Sequence, residues 1–520
     1  MAEGTFETPA ADVGKRWERL GRLGRSNAIL LLCWFALILA LKWPTLVEPP
    51  VWDASMSVFP AAITLAESNF DLGYLLDQPG YLDGGPNVHS LSLITWLTAG
   101  VITVIGFGPG LFPVLHIVHF LIAAFAFTGL YRLGELAFGS TLAAVTAVTA
   151  LTIPVVLTQV GSMYLEIALL ATAVHAVLAW QRNRLVAATA FASAAVLIKG
   201  SGVLIGGALA VAALLTRRPR PEKLRSAAVL VTPSIIVSLF LFDRATVASS
   251  YTYGTYRLET SSFLSHIPDV LLLLILFAIA SFLTLRHDAR SPASSPSGNE
   301  HSKPVLISAA LVVLAFVGFF FVMLPLTGKF FSVLHRNYTL VVPFMLLGLA
   351  AVAHQPRARA VAFGGLALLL VFSIVNRNGS FYADNDLENF ALIERSGAYL
   401  ALLDLQQMGI QAVVALPDDV PVFYDQPVHY KLAYPQMGYA QGPIPGGHSI
   451  FHETPFRDGR LADFPDEFYM LYEYPWLGGE IIQSVREQAL ADPSRDVVVK
   501  ELCSTSFCSD IIHVLPATGP

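Results

Sequence analysis

The stretch RSNAILLLCWFALILALKWPTLVEPPVWD, residues 25–53, decides the class of this chain. Lys15, Arg16, Arg19, Arg22 and Arg25 crowd in front of it, an uncharged apolar run follows, and Asp53 stands just past Trp52. An uncharged run of this kind reads as a membrane-crossing helix. No small-residue cleavage site follows it, so it is read as a retained first span and not as a signal peptide.

Composition agrees with that reading. Of 520 residues, 54% are hydrophobic and 13% charged, with a mean hydropathy of +0.59, far more apolar than a soluble domain. A net charge of −6 gives no sign of nucleic-acid binding, and three cysteines exclude a disulfide scaffold.

Working outward, apolar runs recur at about 28–43, 110–130, 139–158, 163–180, 185–198, 202–216, 226–243, 268–286, 304–326, 338–353 and 360–376. With these as spans, every later basic cluster falls on the side of the N-terminus: Arg132, Arg182/Arg184, Arg217/Arg218/Arg220, Arg286/Arg290 and Arg357/Arg359. That alternation satisfies the positive-inside rule. Several runs are shorter than the roughly 20 residues of a straight span. The expected fold is an all-α polytopic membrane bundle of eleven transmembrane helices over 28–376. It would sit in a bacterial-type inner or plasma membrane with segment 1–27 cytoplasmic and residues 377–520 outside.

The first outer loop is long, 44–109. Within it Ala54–Glu67 reads as an amphipathic helix lying on the membrane. The apolar stretch Leu91–Ile105 would invert every later loop if counted as a span, so it too reads as interfacial. The 287–303 loop, with Ser-Pro-Ala-Ser-Ser-Pro-Ser-Gly at its core, is a flexible linker. After residue 376 the pattern changes. Asp384–Gln407 has helical periodicity, while Gln411–Leu416, Pro421–Tyr424, Asp496–Lys500 and Ile511–Leu515 read as strands. A soluble α/β or α+β domain follows from this. Cys503 and Cys508 lie in it, either bridged across a small loop or as two free thiols.

Charged residues without a basic-cluster explanation collect on the outer side: Asp53, Glu166, Lys199 and Arg336. The bland readings are a solvated loop acid for Asp53, a helix-dipole partner for Glu166, a snorkelling Lys199, and interface anchors for Arg336 and Tyr338. A lysine inside so apolar a run is costly, which favours function. His89 suits a loop as well as a site, and Tyr251, Tyr253 and Tyr256 suit an aromatic belt as well as a sugar platform.

A first span, an acid opening a long outer loop, and two interfacial helices around Gly85-Pro-Asn-Val-His-Ser-Leu91 resemble the GT-C glycosyltransferases. The bacterial branch of protein O-mannosyltransferases and aminoarabinose transferases (glycosyltransferase family 39) is the most similar in pattern. Gly161-Ser-Met-Tyr-Leu-Glu166 resembles that branch's second acidic motif, Leu197-Ile-Lys199-Gly-Ser-Gly202 its lysine turn, and Arg336-Asn-Tyr338 with Pro343 its late Arg-Tyr…Pro element. The chain departs from the pattern in having Asp53-Ala54 where an acidic pair is usual, and no His/Pro-Pro-Leu turn.

The resemblance implies transfer of a sugar from a polyprenyl-phosphate donor, with inversion, to a glycan, lipid or protein acceptor. Asp53 would be the base and Glu166 a supporting acid. Lys199, Arg336 and Tyr338 would contact the donor phosphate, with His89 lining the site. A divalent ion, Mg or Mn, held by Asp53 and Glu166 would be a further source of charge. No enzyme nucleophile is needed, and no serine-hydrolase, metalloprotease, P-loop or Rossmann motif is present. Two rival functions remain: a transporter or flippase of lipid-linked sugars, and a membrane scaffold whose outer domain binds a partner.

Overall fold

A computed structural model gives the structure of the chain. It describes residues 9–50, 54–71, 92–108, 110–248, 302–319, 338–353, 396–424, 426–439, 446–450, 454–456, 458–472, 479–504 and 508–517, with isolated positions between them. Asp53, His89, Arg336, the tyrosines at 251, 253 and 256, most of the runs 268–286 and 360–376, the 287–303 linker and the boundary at 376 lie outside the described residues, as does the side chain of Tyr338.

The bundle begins with α1 (Pro9–Lys42), which stops where Trp43-Pro44 removes a helical N–H and disfavours the helical region before it. Then come α2 (Phe59–Glu67), α3 (Leu93–Ile105), α4 (Leu111–Phe138), α5 (Ser140–Thr152), α6 (Pro154–Gly161) and α7 (Glu166–Gln181). They are followed by α8 (Leu185–Ile198), α9 (Val203–Leu214), α10 (Arg220–Ala248), α11 (Ser302–Gly318) and α12 (Tyr338–Ala353). Helix α4 is the axis: α1, α5 and α7 all pack on it. Fully buried alanines such as Ala123, Ala126, Ala173 and Ala176 let these helices approach closely. Trp34 of α1 meets Phe127 of α4 with ring centres 5.7 Å apart.

Two helical stretches, Ser26–Thr45 and Leu111–Phe138, are long and apolar enough to cross a membrane. The pair α5 and α6 makes a third if its 70° bend is counted within one span. Pro154, at the start of α6, explains that break. Other apolar helices, α3, α7, α8, α9, α11 and α12 among them, are shorter, at 10–17 residues. Eleven full-length spans are therefore not found among the described residues. Hydrophobic length ran on in the sequence across one bend, run 139–158 being two helices, while 185–198 and 202–216 form the hairpin expected, folded at Lys199–Gly202.

The two ends of the bundle differ chemically. At one, Arg132 donates to Asn27 Oδ1 at 2.9 Å and Ser26 Oγ at 2.7 Å and pairs with Glu135 at 2.7 Å. Arg182 and Arg184 lie within the field of that group, and Arg218 stands 5.6 Å over the Trp180 ring. Among the described residues, Arg132, Arg182 and Arg218 thus gather at one end of the bundle. At the opposite end are Lys42, Glu166 and Lys199.

Over that second end lie α2 and α3. Residues Ala54–Val58 form a π-turn and α2 follows, with Phe59 through Ile63 all buried. This corrects the expected surface helix. A helix apolar all round belongs in a core, and this one is sandwiched between α3 and the C-terminal domain.

The C-terminal domain comprises α13 (Ser396–Val414), β1 (Val422–Tyr424), α14 (Gln426–Ala433), β2 (Gly447–Ser449), β3 (Phe468–Tyr472), α15 (Gly479–Ala491), β4 (Arg495–Cys503) and β5 (Cys508–Pro516). Its mixed sheet runs β2-β1-β3-β5-β4, parallel on the β1 side and antiparallel through β3, β5 and β4. Along β3, Phe468 and Met470 pack with α15, while Leu471 turns to the other face with α13. The strand expected at Gln411–Leu416 is instead the end of α13. Ile410 and Val413 face the shared core there, and that packing overrides the β preference of Val413-Val414. Cys503 and Cys508 are register partners and are bonded to each other.

The hairpin turn depends on one glycine. A Cβ on Gly202 would lie 2.2 Å from the Ala195 carbonyl carbon, which is backbone and cannot move aside. Around Gly200 there is nothing within 4 Å. Gly202→Ala is expected to lower stability by about 1–3 kcal/mol or more, read as a falling Tm in detergent. Gly200→Ala should leave Tm within a degree or two of wild type. Equal effects would show that the turn does not depend on this close approach.

Candidate functional site

Glu166 opens α7 and is 3% exposed. It is placed there by a buried, non-helical link from α6, in which Met163 takes a left-handed φ of +52°. Its carboxylate sits in the first turn, where the helix dipole favours negative charge. Lys199 closes α8 in extended backbone, φ −150° and ψ 133°, before the short turn Gly200–Gly202. Its Nζ donates to Glu166 Oε1 at 2.9 Å, with the two side chains 14% and 4% exposed. Two residues from separate hairpins, both singled out in the sequence, thus form one buried ion pair.

Ser92 brings the first loop to the same place. Its Oγ donates to the Ile198 carbonyl at 2.8 Å and accepts from the amide of Ile94, capping α3. The stretch that carries His89 therefore ends beside Lys199. Asp53 is bracketed rather than described: Pro50 before it and Ala54 after it are both buried. Pro343 lies within α12, which starts at Tyr338.

Sequence reasoning missed three residues. Lys42, at the end of α1, is 2% exposed and lies against Gly161, where a Cβ would come within 2.7 Å of its Cε. His116 and His119, one turn apart on α4, are buried at 0% and 4% exposure. The His116 Nε2 is 3.0 Å from the Glu48 carbonyl, and Lys42 lies close enough to act on the same ring electrostatically. The signals were present. Lys42 is a cation at the end where the charge rule forbids one, and two histidines inside an apolar run are a functional flag.

Beyond the bundle, burial first and then the field of Asp404 push the Glu48 carboxyl above its ordinary range. Asp404 comes from α13, so the C-terminal domain contributes to the electrostatics of this loop.

A hard cation wants about six oxygen ligands, and only one of the two carboxylates expected to hold it is among the described residues. Glu166 supplies a carboxylate already engaged by an ammonium, and Asp53 lies outside the described residues. Glu501 with Cys503 and Cys508 is the only metal-like trio among the described residues, and its cysteines are bonded to each other. No step is routed through a metal.

No protein-family model matches the chain, and no curated protein sequence matches it. Its fold is shared with solved structures. One is ArnT from Cupriavidus metallidurans in the apo state, at 15% identity and a TM-score of 0.50, covering 94% of this chain and 98% of that one. Another is the archaeal oligosaccharyltransferase AglB from Archaeoglobus fulgidus, in complex with an inhibitory peptide and a dolichol-phosphate. It is 10% identical with a TM-score of 0.50, covering 88% of this chain and 72% of that one. At these identities what the two structures establish is the fold: this chain shares their architecture.

Proposed function

We propose that the chain is a membrane glycosyltransferase that moves a sugar from a polyprenyl-phosphate donor to an acceptor outside the membrane, with inversion. The observation that carries this reading is the buried Glu166–Lys199 pair, held at the end of the bundle away from the arginines. Burying two charges in an apolar bundle costs several kcal/mol per ion, a cost that function explains better than stability does. The shared architecture adds support, as does the dolichol-phosphate held by AglB. The end bearing the pair would face outward, the arginine end the cytoplasm.

In the proposed reaction the acceptor hydroxyl oxygen attacks the anomeric carbon. The bond from that carbon to the phosphate oxygen breaks, and polyprenyl phosphate leaves with the electron pair. Asp53 takes the hydroxyl proton as general base. The departing phosphate carries negative charge, which a preorganised cation stabilises most in a water-poor site. Lys199 supplies that cation, with Glu166 holding the ammonium in place, and Arg336 and Tyr338 contact the same phosphate. His89 lines the sugar site. A glycan, a lipid or a protein would each offer the required hydroxyl.

Purified wild-type protein in lipid nanodiscs, given a panel of polyprenyl-phosphoryl monosaccharides and envelope extract, should release polyprenyl phosphate and form a glycosylated product. Asp53→Asn should cut kcat by about 100-fold or more at normal membrane abundance and Tm; retained activity would remove Asp53 from its role. Translocation of the donor without any covalent product would favour the flippase.

The ion pair gives a second expectation. Glu166→Gln or Lys199→Met alone should cost about 3–5 kcal/mol of stability by stranding a buried charge. The double variant should recover part of that Tm loss yet recover no transfer. Restored transfer in the double variant would contradict a chemical role for the pair.

A further inference from the structure

The segment leading to Asp53 reads Glu48-Pro49-Pro50. Two prolines in a row have no N–H to donate and a fixed φ, so this stretch cannot bond to itself as helix or sheet. Both prolines are buried, and buried carbonyls need partners from elsewhere. They find them on opposite sides. The Glu48 carbonyl is met by His116 of α4 at 3.0 Å. The Pro50 carbonyl accepts from the hydroxyl of Tyr439 at 3.1 Å, across 389 residues of sequence.

Tyr439 is itself built into place. It follows Gly438, whose φ of +80° turns the chain after the short helix Pro435–Met437. Lys431 of α14, fully buried, holds its Nζ 5.1 Å over the Tyr439 ring and also donates to Gln406 of α13. A cation over a phenol withdraws electron density and strengthens the hydroxyl as a donor. On the far side of Asp53, the buried turn Ala54–Val58 packs against α14 as well. One small region of the C-terminal domain thus grips the chain on both flanks of Asp53.

We infer that Tyr439, backed by Lys431, is a positioning residue: it fixes the Pro50 carbonyl and so constrains the chain that carries Asp53. The proposal rests on the reading of Asp53 as the base. Proton transfer requires a base within hydrogen-bond reach of the proton it takes, and a displacement of about 1 Å can cost on the order of 100-fold in rate. The C-terminal domain then acts on the reaction through one hydroxyl, without touching substrate.

The test uses the full chain in nanodiscs, comparing wild type with Tyr439→Phe and Lys431→Met. Hydrogen exchange is followed at the amides of Leu46–Glu48 and Ala54–Val58, alongside transfer kinetics. Both variants should exchange at least 10-fold faster there, with the rest of the bundle unchanged, while kcat falls about 10- to 100-fold at constant KM. Gln436→Ala, which removes an exposed bond to Glu67, should do neither, so loosened docking in general is not the cause. Unchanged exchange in Tyr439→Phe overturns the proposal, as does faster exchange with kcat intact. If wild type transfers no sugar yet the variants exchange faster, the grip stands and the assignment of function falls.

Discussion

The structure is organised around one ion pair in an apolar bundle, Glu166 with Lys199 at 2.9 Å. In such surroundings a charge is costly unless it is paired, and the backbone delivers both side chains to one point. It does so by giving up regular helix. The link between α6 and α7 contains a left-handed Met163, and α8 stops in extended backbone at Lys199. The turn that follows closes only because Gly202 carries no Cβ. Non-helical backbone at membrane depth is stable only where protein covers it. The interruptions that shorten these helices are thus the same ones that assemble the candidate site.

The C-terminal domain is part of this arrangement and not an appendage. Its α13 and α14 share a hydrophobic cluster with α2 and α3, so these two helices of the first loop are enclosed between bundle and sheet. That enclosure explains why Phe59 through Ile63 and Leu65 of α2 are buried. It also explains how a loop with two consecutive prolines is held, with one carbonyl bonded to the bundle and another to the domain. The described helices of the first loop, α2 and α3, and the distant domain share one hydrophobic cluster at the end of the bundle that bears the pair.

Much of this was legible in the sequence, for physical reasons that differ by element. The helices of the bundle follow from long apolar runs, and the separation of charge follows from where the arginines fall. Lys199 stood out because a charge inside an apolar run carries a large cost, and Glu166 because Gly161–Glu166 resembles an acidic motif at the outer start of a span. What escaped was whatever depends on tertiary cover. Ala54–Glu67 looked like a surface helix because the domain above it is some 340 residues away in sequence. Gln411–Leu416 looked like a strand because only the packed stripe of Ile410 and Val413 settles it as helix. The run 139–158 was read as one span because hydropathy does not register the bend at Pro154, whereas the turn at Lys199–Gly202 was legible as a break between two apolar runs. Lys42 could have been found: a cation at the end of the bundle away from the arginines is a signal of the same kind as Lys199.

The account's central claim is that this fold moves a sugar off a lipid carrier. The most direct measurement is mass spectrometry of envelope glycans and polyprenyl-phosphoryl sugars from cells with and without the gene. The account predicts that one sugar disappears from its acceptor while the same sugar accumulates on the polyprenyl phosphate. Identical glycan and donor profiles in the two strains would contradict it.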